Sequence, residues 1–377
     1  MKYYLIAGEA SGDLHGSNLM KEIKKNDTAA EFRFWGGDLM QQQGGTLIKH
    51  YKDLSFMGFL EIAKNLKTIL GNISFAKKDI ADYQPDCVIL INFSSFNLRI
   101  AEFAKKAGLK VYYYISPQIW AWGTGRVHKI KKYVDKMFVV LPFEKDFYAK
   151  YDFETDFVGH PLLDAIENMP AFDEQDFKKK YGLNEKPIIA LLPGSRKQEI
   201  NKMLEVMLSV ADAFPGYQFV IAGAPSQNKA FYDNICKADV VFVQNETYKL
   251  LTLATAAIVA SGTATLETAL FAVPEVVVYK GSSISYAIGK RLVKHIKYIS
   301  LVNLIADREV VKELIQNELT TENLKKELSN ILQPEKVKVL KEDYRNLRLK
   351  LSGVGASKRT AAIIAEDLKV SKHQQTF

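Results

Sequence analysis

The feature that most constrains the fold is a repeated alternation between continuously apolar runs and amphipathic runs. Residues 87–91 are Cys-Val-Ile-Leu-Ile, and residues 111–115 are Val-Tyr-Tyr-Tyr-Ile. A strand can be apolar on both faces only when helices cover both faces of its sheet, as in parallel α/β folds. The pattern therefore predicts doubly wound parallel sheets.

The alternation occurs twice, on either side of a polar stretch at 151–186. The first half predicts strands at 3–7, 31–35, 87–92, 110–115 and 136–141, with helices at 14–25, 57–81, 97–107 and 142–150. The second half predicts strands at 188–192, 217–222, 239–243, 256–260 and 275–279, with helices at 197–214, 226–237, 246–255, 263–272 and 282–297. A chain of 377 residues is long for one core, so two Rossmann-like domains are expected, with the boundary near 160–170 and a ligand cleft at the strand carboxyl ends.

Composition limits the partners. A formal charge of +8 favours an anionic partner (a nucleotide, a phospholipid surface or nucleic acid), although solubility alone also accounts for it. The basic run 126–136 lies in no recognised nucleic-acid module, so a solvated helix face is preferred and no nucleic acid is expected.

No apolar run is long enough to span a bilayer, so any membrane contact is expected to be peripheral. Cys87 and Cys236 lack a CxxC partner and indicate reduced thiols of a cytosolic protein.

Three loops follow predicted strands and precede helices, where free backbone N–H groups can bind an anion. They are 8–13 (Gly-Glu-Ala-Ser-Gly-Asp), 193–196 (Pro-Gly-Ser-Arg) and 261–267 (Ser-Gly-Thr-Ala-Thr-Leu-Glu). The first lacks the dinucleotide and P-loop spacings, and a tight capped turn explains it equally well. In the other two, Arg196 can pair with a diphosphate and Glu267 can reach a ribose, although Arg196 could equally be a surface residue paired with Glu199.

No metal is expected, because the chain has no D-x-D, no H-E-x-x-H and no cysteine cluster. Arginine and helix N-termini would then neutralise a diphosphate, and no cofactor is expected.

Two stretches, 54–62 and 285–294, mix apolar and charged residues at helical spacing. Either could meet an anionic membrane or acyl chains, but ordinary core-facing helices are the simpler interpretation for each.

Six motifs together resemble one known family over nearly the whole chain. They are 8–13, 116–122 (Ser-Pro-Gln-Ile-Trp-Ala-Trp), 141–145 (Leu-Pro-Phe-Glu-Lys), 157–161 (Phe-Val-Gly-His-Pro), 192–196 and 261–267. They resemble the lipid A disaccharide synthases, a family of glycosyltransferases. The resemblance implies a GT-B fold, with an N-terminal acceptor domain at 1–164 completed by a C-terminal helix at about 354–370, and a UDP-sugar-binding domain at 165–353.

The resemblance also implies an activity. An inverting, metal-independent transfer would join UDP-2,3-diacylglucosamine to 2,3-diacylglucosamine 1-phosphate, giving the β-1′,6-linked disaccharide 1-phosphate and UDP. The enzyme would act in lipid A biosynthesis of a Gram-negative bacterium, in the cytoplasm at the inner membrane, and a homodimer is compatible with the sequence.

Site residues follow from the matching motifs. The expected UDP-binding residues are Gly194, Ser195, Arg196, Ser261, Gly262, Thr263, Glu267 and Asn303. The expected acceptor and acyl-binding residues are Met57, Gly58 and Glu61, and the expected catalytic residues are Glu9, Ser11, Asp13 and Asn92.

The sequence departs from the family at one chemically important position. Relatives commonly carry an aspartate, a candidate base, where this chain has Asn92, and an amide cannot accept a proton at neutral pH. Either Glu9, Asp13 or Glu61 takes that role, or orientation and leaving-group stabilisation matter more than a base. Asp86 also matches an acidic family position but lies before its strand, so a structural role is expected.

Two other functions remain open from the sequence alone. A UDP-GlcNAc 2-epimerase of the same fold would need no lipid acceptor. A non-catalytic protein that binds a sugar nucleotide or a lipid would bind UDP-sugar without releasing UDP, and the missing aspartate makes it conceivable.

Overall fold

A computed structural model describes residues 1–54, 66–121, 123–224, 227–236, 240–281 and 296–375. The chain divides into two compact units. Unit 1 comprises Met1–Asn168 with Leu351–Phe377, and unit 2 comprises Met169–Lys350. These divisions lie a few residues from the boundaries expected at 164/165 and 353/354.

Unit 1 is built on a parallel sheet with the strand order β3-β2-β1-β4-β5-β6-β7. Its strands are β1 Lys2–Ala7, β2 Glu31–Gly36, β3 Thr46–His50, β4 Cys87–Ile91, β5 Lys110–Tyr114, β6 Lys136–Val139 and β7 Asp156–Phe157. The helices between them are α1 Ala10–Asn26, α2 Asp38–Gln42, α3 Leu66–Tyr83, α4 Ser94–Lys106, α5 Val127–Tyr133, α6 Pro142–Ala149 and α7 Pro161–Glu167. Short 3-10 turns occur at Tyr51–Leu54 and Thr124–Arg126.

Unit 2 has a second parallel sheet, with the order β10-β9-β8-β11-β12-β13. Its strands are β8 Ile188–Leu192, β9 Gln218–Gly223, β10 Val241–Gln244, β11 Ala254–Ala260, β12 Glu275–Tyr279 and β13 Glu313–Ile315. Its helices are α8 Glu174–Tyr181, α9 Lys197–Leu208, α10 Lys229–Asp233, α11 Thr247–Leu253, α12 Thr263–Leu270, α13 Leu301–Ala306, α14 Thr321–Ile331 and α15 Pro334–Lys350. The 3-10 turns are Ala211–Ala213 and Gln316–Glu318.

The chain then returns to unit 1 as α16, Ala356–Gln375, which packs along α1. The return is held by Arg359, whose guanidinium donates to the carbonyl oxygens of Val158 (2.8 Å), Val354 (3.0 Å) and Gly353 (3.4 Å). A carboxylate completes the attachment, because Asp164 accepts hydrogen bonds from backbone N–H groups at the start of α16. A C-terminal helix therefore completes the N-terminal unit.

The apolar runs form the central strands. Every residue of β4 and β8 is buried, because helices pack on both faces of each sheet. The predicted fold class, two doubly wound α/β domains, is confirmed. The sequence missed β3, β7 and β13, which are short edge strands. β3 and β7 have no buried residue, and β13 has only three residues, so none of them carries a continuous apolar signal. The predicted helix 197–214 ends earlier, at Leu208. Most of the predicted helix 282–297 and the beginning of the helix 57–81 lie outside the described residues.

Candidate active site

Two loops of unit 2 lie side by side at the carboxyl ends of neighbouring strands. β8 ends at Leu192 and β11 ends at Ala260, and the strands pair with Leu192 opposite Val259. They are also where the strand order changes direction, the position at which open parallel sheets bind ligands. The loops approach closely at Gly194, which has φ +98° and whose added Cβ would lie 3.5 Å from the Ala260 Cβ.

The second loop presents backbone N–H donors at the start of a helix. α12 begins at Thr263, directly after Gly262, and no side chain caps it. Within the described part of the chain, the N–H groups of Gly262, Thr263 and Ala264 have no backbone acceptor. A Cβ added at Gly262 would meet none of the described atoms within 4 Å. These donors, at the positive end of a helix, can receive an anion such as a diphosphate.

Ser261 anchors this loop. Its N–H donates to the Val278 carbonyl (2.9 Å), and its hydroxyl donates to the Ile299 carbonyl (3.0 Å). The hydroxyl is therefore already used within the protein, and its bonds fix the start of α12.

Glu267 lies in the second turn of α12 and is partly exposed. Burial raises the pKa of its carboxyl to about 7, and a hydrogen bond from the Tyr248 phenol opposes that rise. The Tyr248 ring packs on Phe271, with ring centroids 5.3 Å apart. Glu267 is thus a fixed acceptor near the open turn, in the position expected to bind ribose hydroxyls.

Arg196 stands immediately before α9 with a side chain that is 60% exposed. Its guanidinium pairs with Glu199 at 3.1 Å. This is the surface ion pair considered above as the alternative to diphosphate binding, and the geometry is compatible with either role. An exposed ion pair contributes little free energy, so Arg196 can exchange Glu199 for a diphosphate at small cost. Ser195, beside it, is also exposed.

Asn303, predicted to bind UDP, lies in the first turn of α13. Its side chain is fully buried and its amide hydrogen bonds within unit 2. The Nδ2 group donates to the Val311 carbonyl and to Glu313 Oε1 (2.9 Å each), and Oδ1 accepts from the N–H groups of Val310 (2.7 Å) and Val311 (3.0 Å). No donor or acceptor of this amide is left for a nucleotide. A role of Asn303 in UDP binding stays a prediction, and the contacts of its amide favour a role in holding the 310–313 segment over direct contact with the nucleotide.

In unit 1 the equivalent change of strand order lies between β1 and β4. Gly8 follows β1 and allows the Phe93 ring to lie against the backbone, since a Cβ at Gly8 would be 2.4 Å from that ring. Asn92 and Phe93 follow β4 with φ values of 46° and 49°. Two consecutive non-glycine residues in the left-handed region store strain, which is typical of functional sites.

The turn at Asn92 is held by its backbone. Its carbonyl accepts hydrogen bonds from Asn97 Nδ2 (2.9 Å) and the Tyr113 hydroxyl (2.5 Å), and its N–H donates to the Tyr114 carbonyl (3.2 Å). The Asn92 side chain is half-buried and, within the described part of the chain, makes no hydrogen bond. The hydrogen bonds hold the backbone at Asn92, and the side chain at this position is an amide, which cannot act as a base.

Asp13 is 3% exposed and faces the β2–α2 connection. Its Oδ1 accepts from the N–H groups of Gly37 (2.7 Å) and Met40 (3.0 Å), and its Oδ2 accepts from that of Leu39 (3.0 Å). Both oxygens are thus committed to capping α2. The structure gives Asp13 a structural role, and proton abstraction by Asp13 is not supported by this geometry.

The two other predicted residues of this loop are more accessible. Ser11 is half-buried in the first turn of α1, and Glu9 is half-buried just before it. Asp86 accepts from the Lys2 N–H (2.7 Å) at the other end of the sheet, which confirms its structural role. Met57, Gly58 and Glu61 lie outside the described residues.

Neither a metal site nor a membrane span is found among the described residues. No group of three or more histidine, cysteine, aspartate or glutamate side chains could hold a metal ion in that part of the chain. No helix described there is long and apolar enough to cross a membrane.

Comparison with known proteins identifies the family. A model of the lipid-A-disaccharide synthetases matches residues 3–366. The chain belongs to this family. It is 40% identical to the lipid-A-disaccharide synthase of Syntrophus aciditrophicus, covering 97% of this chain and 98% of that one. It is 38% identical to the enzyme of the same name from Geobacter metallireducens, covering 97% and 96%. Family membership makes the chain an enzyme of the glycosyltransferase class.

Solved structures support the fold. The UDP-GlcNAc 2-epimerase of Neisseria meningitidis, solved with UDP-GlcNAc bound, superposes with a TM-score of 0.65 at 14% identity, covering 98% of this chain and 99% of that one. The glycotransferase of kitacinnamycin superposes with a TM-score of 0.64 at 11% identity, covering 97% and 99%. At these identities the likeness concerns the fold alone, and the expected GT-B fold is confirmed.

The sequence analysis did not single out two residues that lie near the loops described above. Tyr248 lies in a short helix with no motif around it, so only the folded structure brings its phenol to Glu267. Glu144 is part of the 141–145 motif, which was a usable signal, but its burial could not be inferred from the motif.

Proposed function

We propose that this family member transfers the sugar of UDP-2,3-diacylglucosamine to the 6-hydroxyl of 2,3-diacylglucosamine 1-phosphate. The products are the β-1′,6-linked disaccharide 1-phosphate of lipid A biosynthesis and UDP. The observation that carries the proposal is the pair of adjacent loops in unit 2. Their N–H groups at Gly262 and Thr263 have no acceptor among the described residues, and the guanidinium of Arg196 is exposed.

The donor would be bound by these groups. Gly194 lets the 193–196 loop approach, Arg196 and the first N–H groups of α12 bind the diphosphate, and Glu267 accepts hydrogen bonds from the ribose hydroxyls. As the sugar–phosphate bond breaks, charge grows on the departing UDP. Donors already aimed at that charge lower the barrier without a metal ion.

The bond changes are those of a single displacement. The 6-hydroxyl oxygen of the acceptor forms a bond to the anomeric carbon on the face opposite UDP, the bond to the diphosphate oxygen breaks with its electron pair, and the configuration inverts. The hydroxyl proton passes to a base. With Asp13 committed to α2 and an amide at position 92, the remaining candidates from the sequence are Glu9 and Glu61. Asn92 would orient the acceptor hydroxyl, and Ser11 would contact the acceptor from the neighbouring loop.

The acyl chains place the reaction at a membrane. We propose peripheral association with the anionic cytoplasmic face of the inner membrane, aided by the charge of +8. Met57, Gly58 and Glu61 would contact the acylated acceptor, and a homodimer is the proposed assembly.

One experiment tests the function. Purified protein is incubated with both acylated sugars in detergent micelles containing EDTA, and the products are analysed by mass spectrometry. Formation of the tetraacylated disaccharide 1-phosphate with stoichiometric UDP is expected. UDP-GlcNAc epimerisation without an acylated acceptor, or a requirement for added divalent metal, would contradict the proposal.

A further inference from the structure

The connections around Asn92 at the carboxyl edge of the unit 1 sheet are short of cations. The connections that follow β1, β2 and β4 contain no lysine, arginine or histidine; they are residues 8–13, 37–38 and 92–95. β5 is the next neighbour of β4, and the connection between β5 and α5 contains one cation, Arg126. Lys145 follows β6 and Lys52 follows β3, which lie further from β4 in the sheet. Arg126 is therefore the cation best placed to meet an anionic ligand held at Asn92.

Arg126 lies beside the first turn of α4. β4, β5 and β6 are parallel neighbours, so right-handed crossovers make α4 and α5 run side by side in the same direction. Near their C-terminal ends the Tyr133 hydroxyl donates to Glu102 Oε1 (3.5 Å), and the Lys106 ammonium lies 6.0 Å from the Tyr133 ring centroid. Seven residues back from Tyr133 and from Glu102, about 10 Å at 1.5 Å per residue, are Arg126 and Ser95. This register places Arg126 next to Ser95.

The Arg126 side chain folds back over the turn that precedes α5. Gly123 has φ +77°, and a Cβ added there would lie 3.5 Å from Arg126 Nε and 3.6 Å from its Cζ. Helix stability does not explain a cation here, because a positive charge at the N-terminal end of a helix is unfavourable. No acidic residue lies in the first turn of α5 or of α4. An anion bound beside these turns would remove the repulsion.

The first turn of α4 adds further groups. The N–H groups of Ser94, Ser95 and Phe96 have no backbone acceptor among the described residues, and Ser95 is exposed. Beneath them Asn97 is fully buried, with its Nδ2 donating to the Asn92 carbonyl (2.9 Å). The Asn97 Oδ1 receives no hydrogen bond from any described residue, which is rare for a buried amide oxygen. The turn thus has N–H donors for an anion and an oxygen that needs a hydroxyl or water donor, and a sugar phosphate has both kinds of group.

We propose that Arg126, together with the first turn of α4, binds the 1-phosphate of the acceptor and so selects a phosphorylated sugar. The inference rests on the proposed function, in which Asn92 orients the 6-hydroxyl. In a hexopyranose the 6-carbon and the 1-phosphate are attached on either side of the ring oxygen, so the phosphate lies within one ring of that hydroxyl. Ser95 and Arg126 follow Asn92 along the same edge of the sheet. A guanidinium binds phosphate through two parallel hydrogen bonds, and the N–H groups of α4 add to them.

Acceptor preference tests this role. With the donor saturating, kcat/KM is measured for 2,3-diacylglucosamine 1-phosphate and for 2,3-diacylglucosamine. The wild type should prefer the phosphorylated acceptor, and this preference should fall about 10- to 100-fold in Arg126→Gln, through the loss of a charge-assisted hydrogen bond. Arg126→Lys keeps the charge without the bidentate geometry and should give an intermediate preference, which a merely unfolded variant would not. Lys129→Gln removes an exposed cation further along α5 and should keep the wild-type preference.

A binding measurement without the donor separates this inference from the proposed function. Phosphorus NMR follows the binding of glucosamine 1-phosphate in the presence of saturating UDP, which occupies the diphosphate site proposed in unit 2. The Kd of glucosamine 1-phosphate should rise about tenfold or more in Arg126→Gln and stay unchanged in Lys129→Gln. The Kd of UDP should be the same in both variants and the wild type.

The outcomes are distinct. Wild-type affinity for glucosamine 1-phosphate in Arg126→Gln, or an unchanged preference between the two acceptors, would refute the phosphate site even if the disaccharide is formed. Loss of phosphate-dependent binding in Arg126→Gln alone, in a protein that forms no disaccharide, would support the site and contradict the proposed transfer.

Discussion

Replacing Glu267 by glutamine separates what this carboxyl does to the fold from what it does for the nucleotide. Burial raises its pKa from 4.5 to about 7. Between these values the folded protein binds more protons than the unfolded chain, so stability falls as pH rises from about 4.5 to 7 and stays lower above. Allowing for partial exposure, the free energy involved is on the order of 1–3 kcal/mol. Glutamine cannot ionise, so the variant should be more stable than the wild type by that amount at pH 8 and similar to it at pH 5.

The nucleotide should respond in the opposite direction. A hydrogen bond to a charged group contributes about 1.5–3 kcal/mol, so the Kd of UDP for Glu267→Gln at pH 8 should rise about 10- to 100-fold. A more stable fold with weaker binding cannot result from damage to the structure.

Urea unfolding at pH 5 and pH 8 and calorimetric titration with UDP measure both effects. Glu246→Gln is the matched control in the same unit. Burial raises the pKa of Glu246, but hydrogen bonds from Lys180, Lys249 and Tyr181 outweigh this effect and lower the pKa to about 2. That variant should lose stability at pH 8 and leave UDP binding unchanged. Wild-type UDP affinity in Glu267→Gln, or a loss of its stability at pH 8, would refute the reasoning.

Three further predictions follow from the same geometry. Arg196→Ala should have an unfolding free energy within about 0.5 kcal/mol of the wild-type value, because the ion pair of Arg196 with Glu199 is exposed. The same variant should raise the Kd of UDP about 10- to 100-fold. Glu199→Ala should not weaken UDP binding. Asp13→Asn should lower the unfolding free energy by about 1–3 kcal/mol, because an amide nitrogen would face backbone N–H donors, and UDP affinity should be unchanged. Loss of kcat in an Asp13→Asn protein of wild-type stability would instead identify Asp13 as a catalytic base. Burial lowers the pKa of His15 to about 4 and that of His160 to about 3, so stability present above pH 6.5 is lost on acidification, by about 2 kcal/mol per histidine at pH 5. Urea unfolding at pH 7 and pH 5 measures this loss of stability. An unfolding free energy that is equal at the two pH values would contradict the burial of both histidines in the neutral form.

Much of the architecture was predictable, because it depends on patterns local in the chain. The continuously apolar runs of β4 and β8 identified strands covered on both faces, and the glycine-containing loops after β1, β8 and β11 were recognised at strand ends. Edge strands such as Thr46–His50 were missed, since half-buried polar residues resemble a loop when taken alone. The family motifs added the class of reaction, which no periodicity contains.

The amino-acid pattern was enough to predict the doubly wound fold, and it marked the loops at which we propose that a sugar nucleotide binds. Only the tertiary structure decided which polar groups remain available there. Asp13 and Asn303 look like site residues by position, yet their hydrogen bonds go to backbone and side-chain groups of the protein itself. Glu144 belongs to a recognisable motif, but nothing in that motif shows that its side chain is only 1% exposed in the folded protein. Hydrogen-bond saturation and desolvation depend on the neighbours that folding brings together, and a linear pattern does not record them.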